Sequence, residues 1–175
     1  VVAVHRSGDH RFSKSEQATI RLVAGLGVEG DAHSGALVQH RSRVAADPDQ
    51  PNLRQVHLLH HELLEQVAAK GYSVGPGALV ENVTTAGIDL LSLPVGSVLR
   101  LGTALVALTG LRNPCRQIDD HAPGLLDEVL MRDASGQIIR RAGVMGVVVR
   151  SGEVAPDDAI RVSLPPEPHH PLDRV

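Results

Sequence analysis

Glycine and proline divide this chain into short pieces, and that punctuation limits its folds more than any other feature. Its 175 residues include 17 Gly and 11 Pro, and residues 144–149 form one of its longest apolar runs. Pieces this short suit strands joined by turns rather than long helices. Residues 1–6, 18–23, 98–101, 105–108, 138–140, 144–149 and 159–164 read as strands, with Gly102-Thr103 joining the third and fourth as a hairpin. A helix is predicted over 52–70, with Asn52 as N-cap, Leu53, Val56, Leu63, Leu64 and Val67 at the helical period, and Gly71 as the stop. A second, short helix is predicted over 123–131, and 78–84 are expected to be extended. The regular strand–helix alternation of a doubly wound sheet is absent. The expected class is mainly β with inserted helices, a β-barrel or mixed β fold. A single domain is expected over 1–164. Residues 165–175 hold four prolines and read as a mobile tail.

Composition narrows the partners. Seventeen basic against twenty acidic residues leave a net charge of −3, which argues against nucleic acid and against a polybasic membrane contact. With one Tyr, one Phe and no Trp, there is little from which to build a base-stacking platform. No stretch approaches the roughly 20 apolar residues of a membrane helix, and no basic segment followed by an apolar one opens the chain. Cys115 is the only cysteine. It excludes an internal disulfide and a multi-cysteine metal cluster within one chain, and a lone thiol fits a reducing, cytoplasmic setting.

Five segments carry candidate chemistry. Gly25, Gly27 and Gly30 spell G-x-G-x-x-G, but a dinucleotide site needs a helix opening at the third glycine, and Asp31-Ala32-His33-Ser34-Gly35 is poor helix. The run reads better as a multi-turn loop on which Asp31 could orient the His33 imidazole. His57 and His61, four apart on the predicted helix, would share a face, a metal pair or simply its wet side. His61-Glu62-Leu63-Leu64-Glu65 lacks the second His of H-E-x-x-H. Glu81-Asn82-Val83-Thr84-Thr85 could present donors and acceptors to a ligand, or satisfy its own turn. Arg112-Asn113-Pro114-Cys115-Arg116 sets the thiol between two arginines, and nearby positive charge favours the reactive thiolate. His33, His57 or His121 could supply a base to it.

In chain order these segments resemble the MOSC domain, the family named for the C-terminal domain of molybdenum-cofactor sulfurases. Gly27-Val28-Glu29-Gly30-Asp31-Ala32-His33-Ser34-Gly35 is similar to its G-x-x-G-D-x-H-x-G loop. Glu81-Asn82-Val83-Thr84-Thr85 with Gly87-Ile88-Asp89-Leu90 is similar to its G-E-N segment, Leu93 to Gly102 to its L-x-x-G-D strand pair, and Leu111 to Cys115 to its cysteine motif. Val80 replaces the usual Gly of G-E-N, and Ser97 and Asp157 depart from G-D. The resemblance implies a barrel-like fold with the cysteine at the mouth of a pocket. It further implies a molybdenum–pterin cofactor bound through Cys115, serving reduction of N-oxygenated small molecules or sulfur handling. The alternative is a cofactor-free sulfur carrier or transferase working through a Cys115 persulfide or by attack on a C–S substrate. In either case Cys115, His33 and Asp31 are the candidate catalytic residues and Cys115 the candidate metal ligand. Arg112, Arg116, Glu81, Asn82, Thr84 and Gly30 are the candidate cofactor-binding residues. The expected partners are a small-molecule substrate and an electron-donating reductase or a sulfur donor or acceptor protein.

Overall fold

The computed structural model describes residues 1–40 and 43–175 in full. The strands are β1 (Ala3–Arg6), β2 (Ser15–Gln17), β3 (Ile20–Val23), β4 (Gly27–Val28), β5 (Val56–His60), β6 (Val83–Thr85), β7 (Val98–Leu101), β8 (Ala104–Leu111), β9 (Leu130–Arg132), β10 (Ile138–Arg140), β11 (Val144–Arg150), β12 (Gly152–Val154) and β13 (Ile160–Ser163). The helices are α1 (Arg41–Ala46), α2 (His61–Ala69), α3 (Gln117–His121) and α4 (Leu125–Val129). The fold is mainly β with few helices, as the short apolar runs predict. Eight strands form one sheet in the order β13-β7-β8-β11-β5-β6-β1-β2, and β12-β3-β4 form a smaller one. All pairs in the large sheet are antiparallel except β5 with β6. Among the described residues no helix is long and apolar enough to cross a membrane.

Two apolar layers cover the two faces of the large sheet. Val4, Leu58, Val83, Leu99, Val106, Val144 and Val148 pack with Ile20, Leu22 and Val154 of the small sheet. Leu59, on β5 beside Leu58, instead joins Leu63, Leu64 and Val67 of α2 with Ile118 and Leu125 of the short helices. β5 is thus buried on both sides, which explains a correction. Residues 56–60 were expected to begin a helix and form a strand instead. A strand covered on both faces reads as a continuous apolar run, and such a run mimics helical period. The helix itself spans only 61–69. His57 lies on β5 and His61 opens α2, so they do not share the helix face that suggested a metal pair.

The expected barrel is also corrected. No ladder joins β2 to β13, so the sheet is open. β2 is three residues long, with Ser15 and Glu16 exposed, and offers little to pair with. The sheet does curl: the Asp157 N–H donates to the Val1 carbonyl at 2.9 Å, bringing the start of β1 beside the turn before β13. Residues 165–175, the segment expected to be a mobile tail, lie along the sheet. Leu172 is buried there, and the Leu111 N–H donates to the Asp173 carbonyl at 2.7 Å.

Val80, at the position of the family's usual glycine, has φ of 68°. A β-branched residue is strained in this region, by about 1–2 kcal/mol. Val80→Gly is therefore expected to be more stable than Val80→Ala by about 1 kcal/mol, since both lose the side chain and only glycine relieves the backbone. Equal urea midpoints for the two variants would contradict this.

Buried histidines set an acid limit. His5 is 1% exposed, and neither of its ring nitrogens has a partner among the described residues. Burial lowers its pKa against the pull of Glu81 and Glu16. Burial likewise holds His57 well below 6.5, helped by Arg112, and lowers His60. Each takes up a proton more readily unfolded than folded. Their contribution is therefore complete above about pH 6.5 and is lost as pH falls below it, at about 1.4 kcal/mol per pH unit for each histidine protonated only in the unfolded chain. Urea midpoints should fall steeply from pH 7 to pH 5, and a flat profile over that window would be inconsistent with these assignments.

Candidate functional site

The β8 strand stops at Leu111, where β11 begins, level with Leu58 in the middle of β5 and with Val83 at the start of β6. Their register sets Val144 opposite both Leu111 and Leu58, and Val83 opposite Leu58. The loops at this sheet end and the glycine loop across it enclose a cavity of about 420 Å³. Arg112, Asn113 and Cys115 after β8, Met145 of β11, His57 of β5, and Val80 and Asn82 before β6 all line it. His33 and His40 approach from the glycine loop, and Lys14 and Phe12 from the segment before β2.

The glycine loop is anchored by a buried carboxylate. Asp31 is 7% exposed. One of its oxygens accepts from the His33 N–H at 3.0 Å and contacts His33 Nδ1 at 3.2 Å. The other accepts from Lys14 Nζ at 2.6 Å and Asn82 Nδ2 at 3.0 Å. Burial alone would raise the Asp31 pKa, but the His33 hydrogen bond and the Lys14 ammonium outweigh it and hold the carboxyl well below its usual range. The pair of sequence neighbours Asp31 and His33 is thus joined as expected, with Lys14 as an unforeseen third member. Asn82 is the staple of this corner. Its amide also donates to the His5 carbonyl at 3.2 Å and its oxygen accepts from the His57 N–H at 3.1 Å.

The cavity wall has an unusual charge balance. Arg11, Lys14, Arg43, Arg54, Arg112 and Arg174 all line it, and among the described residues no Asp or Glu does. Arg112 is 6% exposed. Its main chain is fixed by donation to the Gly143 carbonyl at 3.0 Å, but its Nη1 has no acceptor. Burial pushes its pKa down, while a charge on Cys115 and the Glu81 carboxylate oppose that shift. Arg54 repeats the pattern: its Nε is buried without an acceptor, and burial with the nearby Arg43 and Arg112 lowers its pKa to about 10. Among the described residues neither arginine forms an ion pair. His40 is pushed down to about 4 by burial and then by Arg54 and His33, so it adds no further positive charge at neutral pH. A buried cation with no ion-pair partner is costly, and this wall holds one in Arg112, with the half-buried Arg54 near it.

Cys115 is half-buried and its thiol lies 3.5 Å from Gln117 Oε1. The two arginines flanking it in sequence part company. Arg112 turns into the cavity, whereas the Arg116 side chain is 92% exposed, lies 3.8 Å from Asp120 and does not line the cavity. Glu81 and Thr84 also lie off the wall. The fully buried Glu81 carboxylate accepts from the Gly77 N–H at 2.6 Å, the Leu79 N–H at 3.1 Å and Thr84 Oγ1 at 3.1 Å, shaping the turn before β6. Gly30 lies off the cavity as well; a Cβ there would sit 2.7 Å from Arg6 Nη1. The His121 ring lies 5.2 Å from that of Phe12, tilted by 43°, and does not reach the wall. Sequence reading did not single out Arg54, Arg43, Lys14, His40 or Arg174. The only hint was that Arg43 and Arg54 flank the breaker run Ala45-Ala46-Asp47-Pro48-Asp49-Gln50-Pro51.

Comparison with known proteins places the chain in a family. The profile of the MOSC domain matches residues 32–161. No curated protein matches the chain in sequence. The crystal structure of YuaD from Bacillus subtilis is similar, with a TM-score of 0.71 and 25% identity over 91% of this chain and 92% of that one. YiiM from Escherichia coli gives 0.59 and 19% identity over 96% and 71%. YiiM from Geobacillus stearothermophilus gives 0.61 and 15% over 93% and 74%, and these two likenesses concern the fold alone. The profile match spans most of the chain, includes His33 and Cys115, and shows that this chain belongs to the MOSC domain family.

Proposed function

We propose that the cavity binds a molybdenum–pterin cofactor, with Cys115 as the protein's ligand to the metal. The observation that carries this reading is Arg112: a buried guanidinium with an orphaned N–H, beside the only thiol, in a wall free of carboxylates. MOSC domains are associated with this cofactor, and the residues present fit it. The unpaired donors of Arg112 and Arg54 suit the phosphate of such a cofactor, since arginine binds phosphate through charge-assisted, often bidentate bonds. A thiolate is a soft ligand suited to a thiophilic metal. Among the described residues no group of three or more His, Cys, Asp or Glu is placed to hold a metal, so a metal here would have to arrive already ligated by the rest of its cofactor.

The cofactor, when bound, would supply two-electron redox chemistry for a small N-oxygenated substrate. The chain's own residues do the rest. Arg112 and Arg54 neutralise and orient the anionic part. Asp31 fixes the His33 ring through Nδ1, so its Nε2 is the atom able to hold or deliver a proton. No second cysteine is available to relay electrons, so reduction requires an electron-donating partner protein. The second reading is a sulfur carrier in which the half-exposed Cys115 holds a persulfide.

In protein made by a host that synthesises the cofactor, molybdenum per chain should be near stoichiometric and should be lost in Cys115→Ser. No metal in the wild type, with a mass gain of one sulfur on Cys115 removable by reductant, would favour the carrier instead.

A second expectation separates binding from folding. Arg112→Met should lower molybdenum content about tenfold or more, the size of one or two lost charge-assisted bonds. Yet it should fold at least as stably, because it removes a buried, unpaired charge. Retained metal, or a lower thermal midpoint together with lost metal, would contradict this role for Arg112.

A further inference from the structure

We propose that residues 165–175 form a strap that carries Arg174 into the cavity wall as an anion-binding residue; this rests on the reading of the cavity as an anion site. The strap is seated on the strand end that leads into the cysteine motif. Arg174 pairs with Leu111 as an isolated parallel bridge, and Leu111 immediately precedes Arg112. The Leu111 N–H donates to the Asp173 carbonyl at 2.7 Å, and the Val175 N–H donates back to the Leu111 carbonyl at 3.3 Å. Further along, the Val95 N–H donates to the His170 carbonyl at 2.9 Å, and the strap's own Leu172 is buried. The main chain of 173–175 is thereby fixed beside the site, and the Arg174 side chain lines the same cavity as Arg112, Arg54 and Cys115.

The charge of Arg174 is not used elsewhere. Among the described residues it forms no ion pair, and the neighbouring Asp173 carboxylate accepts from the Arg174 main-chain N–H at 2.6 Å. Arg174 itself is solvent-exposed, which places it on the open side of the cavity, whereas Arg112 is buried in its wall. An anion entering past Arg174 and settling on Arg112 would meet positive charge at both ends.

Gly110 offers a way to unseat the strap without touching the cavity. A Cβ on Gly110 would collide with the Asp173 carbonyl and stand 2.8 Å from Val175 Cβ. The test uses inorganic phosphate as the probe, followed by titration calorimetry, and the rate of Cys115 alkylation by iodoacetamide. Arg174→Gln should weaken phosphate binding about three- to tenfold, the range of one partly exposed charge, with an unchanged thermal midpoint. Arg174→Lys should recover part of it. Gly110→Ala should weaken binding to a similar extent and also speed alkylation, because the strap is displaced. If Arg174→Gln and Gly110→Ala bind phosphate as the wild type does while Arg112→Met does not, the strap proposal is overturned and the anion cavity stands. If the wild type binds no phosphate, the anion reading fails and the strap proposal falls with it.

Discussion

A buried guanidinium that forms no ion pair among the described residues organises this end of the molecule. Arg112 immediately follows the end of β8, its main chain held by the Gly143 carbonyl. Desolvating such a group costs several kcal/mol unless bonds satisfy it. The protein leaves one of its N–H groups orphaned and sets Arg54 beside it. The deficit is the kind that a ligand, rather than the chain, completes. It stands next to the only residue with soft-ligand and nucleophile chemistry, which makes one site out of two otherwise weak signals.

The opposite wall solves its electrostatics internally. Asp31 is as buried as Arg112, yet all its lone pairs face donors from Lys14, Asn82, His33 and Ser7. That network converts a glycine-rich loop into a stiff wall and fixes one face of the His33 ring. The contrast between a saturated carboxylate on one side and unsaturated arginines on the other gives the cavity its net positive character within a chain whose total charge is negative. Val80, held at positive φ on the same rim, is a further local departure from ease, and such departures gather where a fold serves a site.

Much of this was legible from residues alone, for physical reasons. The β7–β8 hairpin shows because Gly102-Thr103 separates two alternating runs. Cys115 and Arg112 show because a lone thiol beside arginines has a reactivity argument attached. β5 did not show, because burial on both faces erases the period of two. Nor could a motif reveal direction. Arg112 and Arg116 are equivalent as letters, but the end of β8 aims one inward and the start of α3 aims the other to solvent. Glu81 and Asn82 are adjacent, yet one carboxylate closes its own turn while the neighbouring amide reaches the cavity. Lys14, Arg54 and Arg174 come from distant stretches without pattern, and only the sheet end brings them together.

The central claim is that an anion completes this cavity, and thermal unfolding tests it directly. The wild type and Arg112→Met would be melted in sodium phosphate and in sodium chloride at equal pH and ionic strength. A ligand that binds only the folded state raises its midpoint. The account predicts a higher midpoint in phosphate for the wild type and no specific gain for Arg112→Met. Equal gains in both proteins, or none in either, would contradict it.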